Sequence, residues 1–204
     1  DIIPPELKEE EKANPTKRNS LVNAALQAAV KSNPSPIYKS SFVTRIKTGN
    51  FEDNLAEIKD CDWVIEAVVE RLDIKQSLFE KVELHRKPGT LITTNTSGIP
   101  ISILIKGRSD DFKKHFCGTH FFNPPRYLRL FEIIPSPFTD KNIIQFFEYY
   151  ADKFLGKTPV LCNDTPAFIA NRVGVFSMAA IFKLQQEIGL SISEIDSLTG
   201  TLIG

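Results

Sequence analysis

Apolar and polar positions along the chain change period several times, and each change marks an element. Over residues 17–31, Leu21, Ala25 and Ala28 with Val22, Leu26 and Ala29 form a helical stripe. Asn33-Pro34-Ser35-Pro36 breaks it. Asp1-Ile2-Ile3 reads as the tail of a strand stopped by Pro4-Pro5, residues 6–12 as a charged surface, and residues 42–48 as a strand closed by Gly49-Asn50. From Trp63 the pattern becomes regular. A strand over 63–69 is followed by a helix over 75–86 with Leu78, Phe79 and Val82 inward, ended by Pro88-Gly89. Then come a strand over 90–94, a short helix from 101 to 106 and a charged loop over 107–115. Strands over 116–122 and 129–134 flank Asn123-Pro124-Pro125, which must turn because consecutive prolines cannot continue a ladder. An amphipathic helix spans 142–154 and a strand 158–162. Asp164-Thr165-Pro166 predicts a helix start, from its capping side chain and first-turn proline, running to about Glu187. Ser191 to Glu194 opens another helix.

Strands alternating with helices predict an α/β fold, a mostly parallel sheet wrapped by helices. Ligands in such sheets bind beyond the carboxyl ends of the strands. Glu70, Asn95-Thr96-Ser97 and His120 to Asn123 all stand at strand ends, so they are expected on one edge. Asn171 shares a helical phase with Phe168, Val175, Met178 and Phe182. An amide on an apolar face needs a ligand or a hydrogen-bond partner, and a backbone carbonyl would serve equally well.

His120 and Glu132 lie within the two apolar strands around the double proline. A lone imidazole and a lone carboxylate are costly in such strands unless they meet partners, and each can satisfy the other. A carboxylate behind an imidazole fixes its tautomer and stabilises the imidazolium, which is how a general base is built. A structural ion pair in a buried sheet fits these two residues just as well.

The bulk numbers narrow the class. Charged residues make up 25% of the 204 and cancel to a formal net charge of zero, which argues against nucleic acid or an anionic membrane as partner. Hydrophobic content of 42% is ordinary for a packed domain. Cys61, Cys117 and Cys162 are scattered and odd in number, and contain no Cys-x-x-Cys. They suit a reducing compartment, here the cytoplasm, and buried strand positions rather than a disulfide or metal framework. The longest uncharged run, residues 88–105, is too interrupted to span a bilayer.

Six stretches together resemble the L-3-hydroxyacyl-CoA dehydrogenase family: residues 62–75, Thr-Asn-Thr-Ser at 94–97, Gly-Thr-His-Phe-Phe-Asn-Pro at 118–124, Phe-Glu-Ile-Ile at 131–134, Leu-Gly-Lys at 155–157, and residues 164–172. Asn-Pro-Pro-Arg-Tyr resembles the branch often fused to an enoyl-CoA hydratase-like domain. The resemblance implies a Rossmann-like fold, NAD as cofactor, an acyl-CoA as substrate and a homodimer. It makes His120 the catalytic base and Glu132 its partner, with Ser97 and Asn171 hydrogen-bonding the substrate oxygen. Glu70 and Lys75 match positions near the cofactor's ribose and nicotinamide end. Asn95 and Asn123 line the same cleft with Ser97, and Asp1 matches the acid that holds the adenosine ribose. Residues 6–45 match a helical insertion touching the CoA end, where Lys17, Arg18, Lys31 and Lys39 are available for phosphates, or simply face solvent. The family pattern is departed from at Gly98, where a second serine is common, and at Arg129, where lysine is common.

The resemblance also implies a division into residues 1–164, a Rossmann-like unit, and residues 165–204, the start of a helical domain. The glycine-rich dinucleotide fingerprint should stand about 20 residues before the ribose acid. The sequence begins at that acid, so the sheet is expected to lack its first βα unit, and the chain alone to bind NAD poorly and be inactive. The function expected of the intact protein is NAD-dependent 3-hydroxyacyl-CoA oxidation, of the fatty-acid β-oxidation type. The alternatives are a related dehydrogenase of a small hydroxy acid or sugar acid, or a non-catalytic module that retains the fold.

Overall fold

The computed structural model describes residues 1–200. Short helices α1 (Pro15–Arg18) and α2 (Ser20–Lys31) precede 3-10 turns at Ser40–Arg45 and Leu55–Asp60. Then follow β1 (Trp63–Glu66), α3 (Leu72–His85), β2 (Leu91–Thr94), α4 (Ile101–Leu104) and α5 (Asp110–Lys114). The chain continues through β3 (Phe116–Phe121), β4 (Leu130–Pro135), α6 (Lys141–Lys153), β5 (Thr158–Leu161), α7 (Ala170–Ile188) and α8 (Ile192–Thr199).

The strands form one sheet in the order β1-β2-β3-β4-β5. All neighbours are parallel except β3 and β4, which are antiparallel with His120 directly opposite Glu132. The expected α/β, mostly parallel architecture therefore stands. The two-residue period of β3 and β4 divides the core. Phe116 and Ile134 face Phe79, Leu104 and Phe112 of the helices on one side, while Cys117, Phe131 and Ile133 face Ile143, Phe147 and Ala151 of α6 on the other. Gly118 admits α4 to the first face. A Cβ there would come within 2.9 Å of Ile101 Cδ1 and 3.1 Å of Ile134 Cβ.

Several expected elements differ, each for a local reason. Residues 42–48 do not form a strand. Their backbone is engaged in tight local bonds, Phe42 N to Lys39 O at 2.8 Å and Ile46 N to Val43 O at 3.0 Å, and among the described residues no ladder partner pairs with them. The charged stretch 107–115 contains α5, because Ser109 accepts from the Phe112 amide at its start and Phe112 is fully buried beneath it. The strand at 63–69 stops at Glu66. Asp1 to Ile3 lie outside the sheet, with the Asp1 carbonyl accepting from the Phe51 amide at 2.9 Å. Cys61 is exposed, whereas Cys117 and Cys162 are buried.

The helix expected from Asp164 begins only at Ala170. Asp164 caps a different helix: its two carboxylate oxygens accept from the amides of Ile101 (2.7 Å) and Ser102 (2.9 Å) at the start of α4. Between Asp164 and α7 the chain turns through positive φ at Ala167 (63°) and Phe168 (47°), which carries Phe168 into the core. The expected C-terminal end holds, with Gly189 left-handed at φ 77°. Ser191 and Glu194 form a capping box on α8. Residues 201–204, the last of the expected helical segment, lie outside the described residues. No helix among the described residues is long and apolar enough to cross a membrane.

Candidate active site

The antiparallel register of β3 and β4 sets His120 and Glu132 side by side, both almost wholly buried, with Nδ1 2.8 Å from Glu132 Oε2. The other carboxylate oxygen is also engaged. Oε1 accepts from the backbone amides of Ile169 (3.1 Å) and Ala170 (2.8 Å) at the start of α7, where unpaired N–H groups and the helix dipole favour a negative charge. A carboxylate held at both oxygens cannot rotate. Since it only accepts, Nδ1 carries the proton and Nε2 presents its lone pair. The rings of Phe122 and Phe168 stand edge-on to the imidazole, at centroid distances of 4.5 and 5.8 Å. Beneath the carboxylate, burial pushes the Cys162 thiol up to about 12, and the charge on Glu132 adds to the shift. That thiol is a packing group, not a nucleophile.

Nε2 faces the Ser97 hydroxyl at 3.1 Å. Ser97 lies in the exposed turn after β2, and Glu70 holds that turn. One oxygen of Glu70 accepts from the Thr96 hydroxyl and from the amides of Ser97 (3.0 Å) and Gly98 (3.2 Å). The other pairs with Lys75 Nζ at 3.2 Å. Burial alone would raise the Glu70 carboxyl. The Thr96 hydroxyl, the Lys75 ammonium and the Ser97 amide outweigh it, leaving Glu70 below the usual carboxylate range.

The strand-end residues expected on one edge do assemble. Glu70, Thr96, Ser97 and His120 form one hydrogen-bonded chain, and Asn95 Oδ1 joins β2 to β3 by accepting from the Phe121 amide at 2.8 Å. Lys75 is placed differently from expectation. Its side chain is 1% exposed, and its ammonium is held by Glu66 (2.8 and 3.0 Å), Glu70 and the Val68 carbonyl (3.3 Å). With its three protons so engaged, it presents none to a cofactor. Asn123 is exposed just past β3. Asn171 is half-buried in the first turn of α7, next to the Ala170 amide that binds Glu132. Asp1 is exposed at the rim of a cleft of about 900 Å³, walled by Ile2, Phe51, Val68, Val69 and Leu78. The same cleft also carries Asp73, Ser77 and Lys81, and its Val69 directly precedes Glu70 in the chain.

Among the basic residues of the insertion, Lys17 pairs with Glu11 (3.1 Å) and Arg18 with Asp53 (2.7 Å), whose carboxyl Arg18 holds down to about 2. These two serve the packing of the insertion. Glu66 is the residue of this network that sequence reasoning missed. Glu66 carried the same signal as Glu132, a single carboxylate in an apolar strand. It is buried against Lys75 and accepts from the Thr94 hydroxyl at 2.5 Å. Asp164 was visible as a cap, but the helix it caps is 63 residues away.

Residues 6–165 match the family model described as 3-hydroxyacyl-CoA dehydrogenase, NAD binding domain. A probable 3-hydroxyacyl-CoA dehydrogenase of Bacillus subtilis is 44% identical over 210 residues, covering 100% of this chain and 27% of its own length. A putative fatty acid oxidation complex trifunctional enzyme of Rickettsia felis is 42% identical over 163 residues, covering 80% of this chain and 23% of its own. The crystal structure of (S)-3-hydroxybutyryl-CoA dehydrogenase PaaH1 from Ralstonia eutropha superposes with a TM-score of 0.69 at 27% identity, over 90% of this chain and 63% of that one. The chain spans between about a quarter and about half the length of the curated relatives it matches.

Proposed function

The chain belongs to the 3-hydroxyacyl-CoA dehydrogenase family, in its NAD-binding domain, and from that membership we propose that the intact protein oxidises the 3-hydroxyl of an acyl-CoA thioester. The observation that carries the reading is the Glu132–His120–Ser97 chain, held at one end by the start of α7 and open at the other on the sheet edge.

His120 Nε2 takes the hydroxyl proton of the substrate as the carbon–hydrogen bond breaks. Nδ1 keeps its proton and donates it in a hydrogen bond to Glu132, whose charge stabilises the imidazolium that forms. Ser97 donates to the substrate oxygen, and Asn171 stands at the same helix start to do so. NAD, when bound, supplies the hydride acceptor. Asp1 and the apolar walls of the adjoining cleft would hold its adenosine half, and Asn95, Ser97 and Asn123 would line the nicotinamide end. Residues 1–164 form the NAD-binding unit in this reading and residues 165–204 open a helical domain. The same reading makes the intact enzyme a homodimer of the cytoplasm that carries or meets an enoyl-CoA hydratase-like domain.

The test is turnover of acetoacetyl-CoA by the intact protein with NADH. Oxidation of NADH that depends on the thioester is expected. Turnover of a small hydroxy acid with none of the thioester would move the protein to another dehydrogenase class. No turnover of either would leave a binding module.

A further inference from the structure

We infer that Glu70 is a positioning residue for the proton-transfer pair: through the Thr96–Gly98 turn it sets the Ser97 hydroxyl against His120. The inference rests on the dehydrogenase reading above and deepens it, because a carboxylate matched to the cofactor's side of the cleft is engaged inward.

The side chain of Glu70 is 44% exposed, yet its oxygens are occupied by four donors from the protein. Three of them belong to consecutive residues, Thr96, Ser97 and Gly98, and converge on one oxygen. Such convergence fixes a turn that has few other restraints: Gly98 has no neighbour within 4 Å of where a Cβ would stand, and Ser97 is exposed. The turn is held below by Asn95 N to Glu66 O at 2.7 Å, and within by Ile99 N to Thr96 Oγ1 at 3.3 Å. Neither bond reaches the Ser97 backbone. Among the described residues Glu70 alone grips that residue's amide, and the same residue's hydroxyl stands 3.1 Å from Nε2.

The clamp is anchored in turn. Lys75 is buried between Glu66 and Glu70, so two carboxylates from the end of β1 and the loop after it share one ammonium on α3. Glu66 balances the buried charge, and Glu70 is directed toward the turn. Because Glu70 lies below the usual carboxylate range, it stays ionised, and therefore purely accepting, across the neutral range. Three donors on one oxygen need an acceptor of this kind.

The experiment uses the intact enzyme with acetoacetyl-CoA and NADH, measuring kcat, KM for the thioester and the Kd of NADH. In Glu70→Ala, kcat at saturating NADH should fall by roughly 10- to 100-fold, the scale of a misplacement of about an ångström. Glu70→Gln should recover only part of that loss, because its carbonyl oxygen still accepts from the turn but is uncharged, and its NH₂ meets the Lys75 ammonium. Thr96→Val removes the clamp from the other side while leaving Glu70 in place, and should lower kcat with the NADH Kd unchanged. It decides the matter if Glu70→Ala fails to fold. A weakened NADH Kd with kcat intact at saturating cofactor would make Glu70 a cofactor contact and overturn the inference. Wild-type kcat in Thr96→Val would overturn it equally. An inactive wild-type protein would instead overturn the dehydrogenase reading on which it rests.

Discussion

His120 is useful only because of what each of its nitrogens faces. Glu132 engages Nδ1, so Nε2 is left to accept a proton near Ser97. In the intact protein, His120→Asn should lower turnover by about two to four orders of magnitude, the range for a lost general base. NADH binding should hardly change, and steady-state rates measured beside cofactor titrations check both. Glu132→Gln makes a sharper statement. The Ile169 and Ala170 amides demand an acceptor at Oε1, so the new NH₂ must turn toward Nδ1–H, and two donors then meet. The imidazole escapes by moving its proton to Nε2, which can then no longer accept. Turnover should fall by roughly 100-fold or more, and nitrogen chemical shifts of His120 should report the change of tautomer. A glutamine variant with wild-type turnover would mean that the carboxylate does not set the tautomer.

Elements matter here mainly through their ends. The start of α7 holds Glu132, the turn after β2 holds Ser97, and the start of α4 is held by Asp164. Asp164 is the one that crosses the structure, tying the segment that leads into α7 to the short helix packed over Gly118. Asp164→Ala frees the amides of Ile101 and Ser102 and should cost about 1–2 kcal/mol, the range for a lost helix cap. Denaturant unfolding of wild type and variant measures it. Because Ile101 is fully buried against Gly118, on the face of β3 that also carries His120, the variant should also lose turnover in proportion to unfolding, with no change in KM.

At the scale of the molecule, Asp1 lines a largely apolar cleft together with Ile2, Phe51, Val68 and Val69, the proposed place of the cofactor's adenosine half. A carboxylate there accepts from ribose hydroxyls and repels a 2′-phosphate. The intact enzyme should therefore prefer NAD to NADP, and a comparison of kcat/KM for the two cofactors tests it. A clear preference for NADP would remove Asp1 from the cofactor site.

The sequence by itself determined what period and composition encode locally: the alternation of strands and helices from Trp63 onward, the turn at Asn123 to Pro125, and the Gly189 and Ser191 boundaries. It also determined that His120 and Glu132 needed partners, because a charged or polar group in an apolar strand carries that demand wherever the strand ends up. Which partners they took was decided by the tertiary structure. The register of β3 against β4 joined the pair, the turn through Ala167 and Phe168 brought two α7 amides to Glu132, and Asp164 left its own segment for α4. The same holds for residues 42–48, whose strand-like pattern met no ladder, and for Lys75, whose ammonium a carboxylate on each side drew inward. A side chain's demand for a partner is local and readable, whereas the supply of partners depends on contacts between residues far apart in the chain.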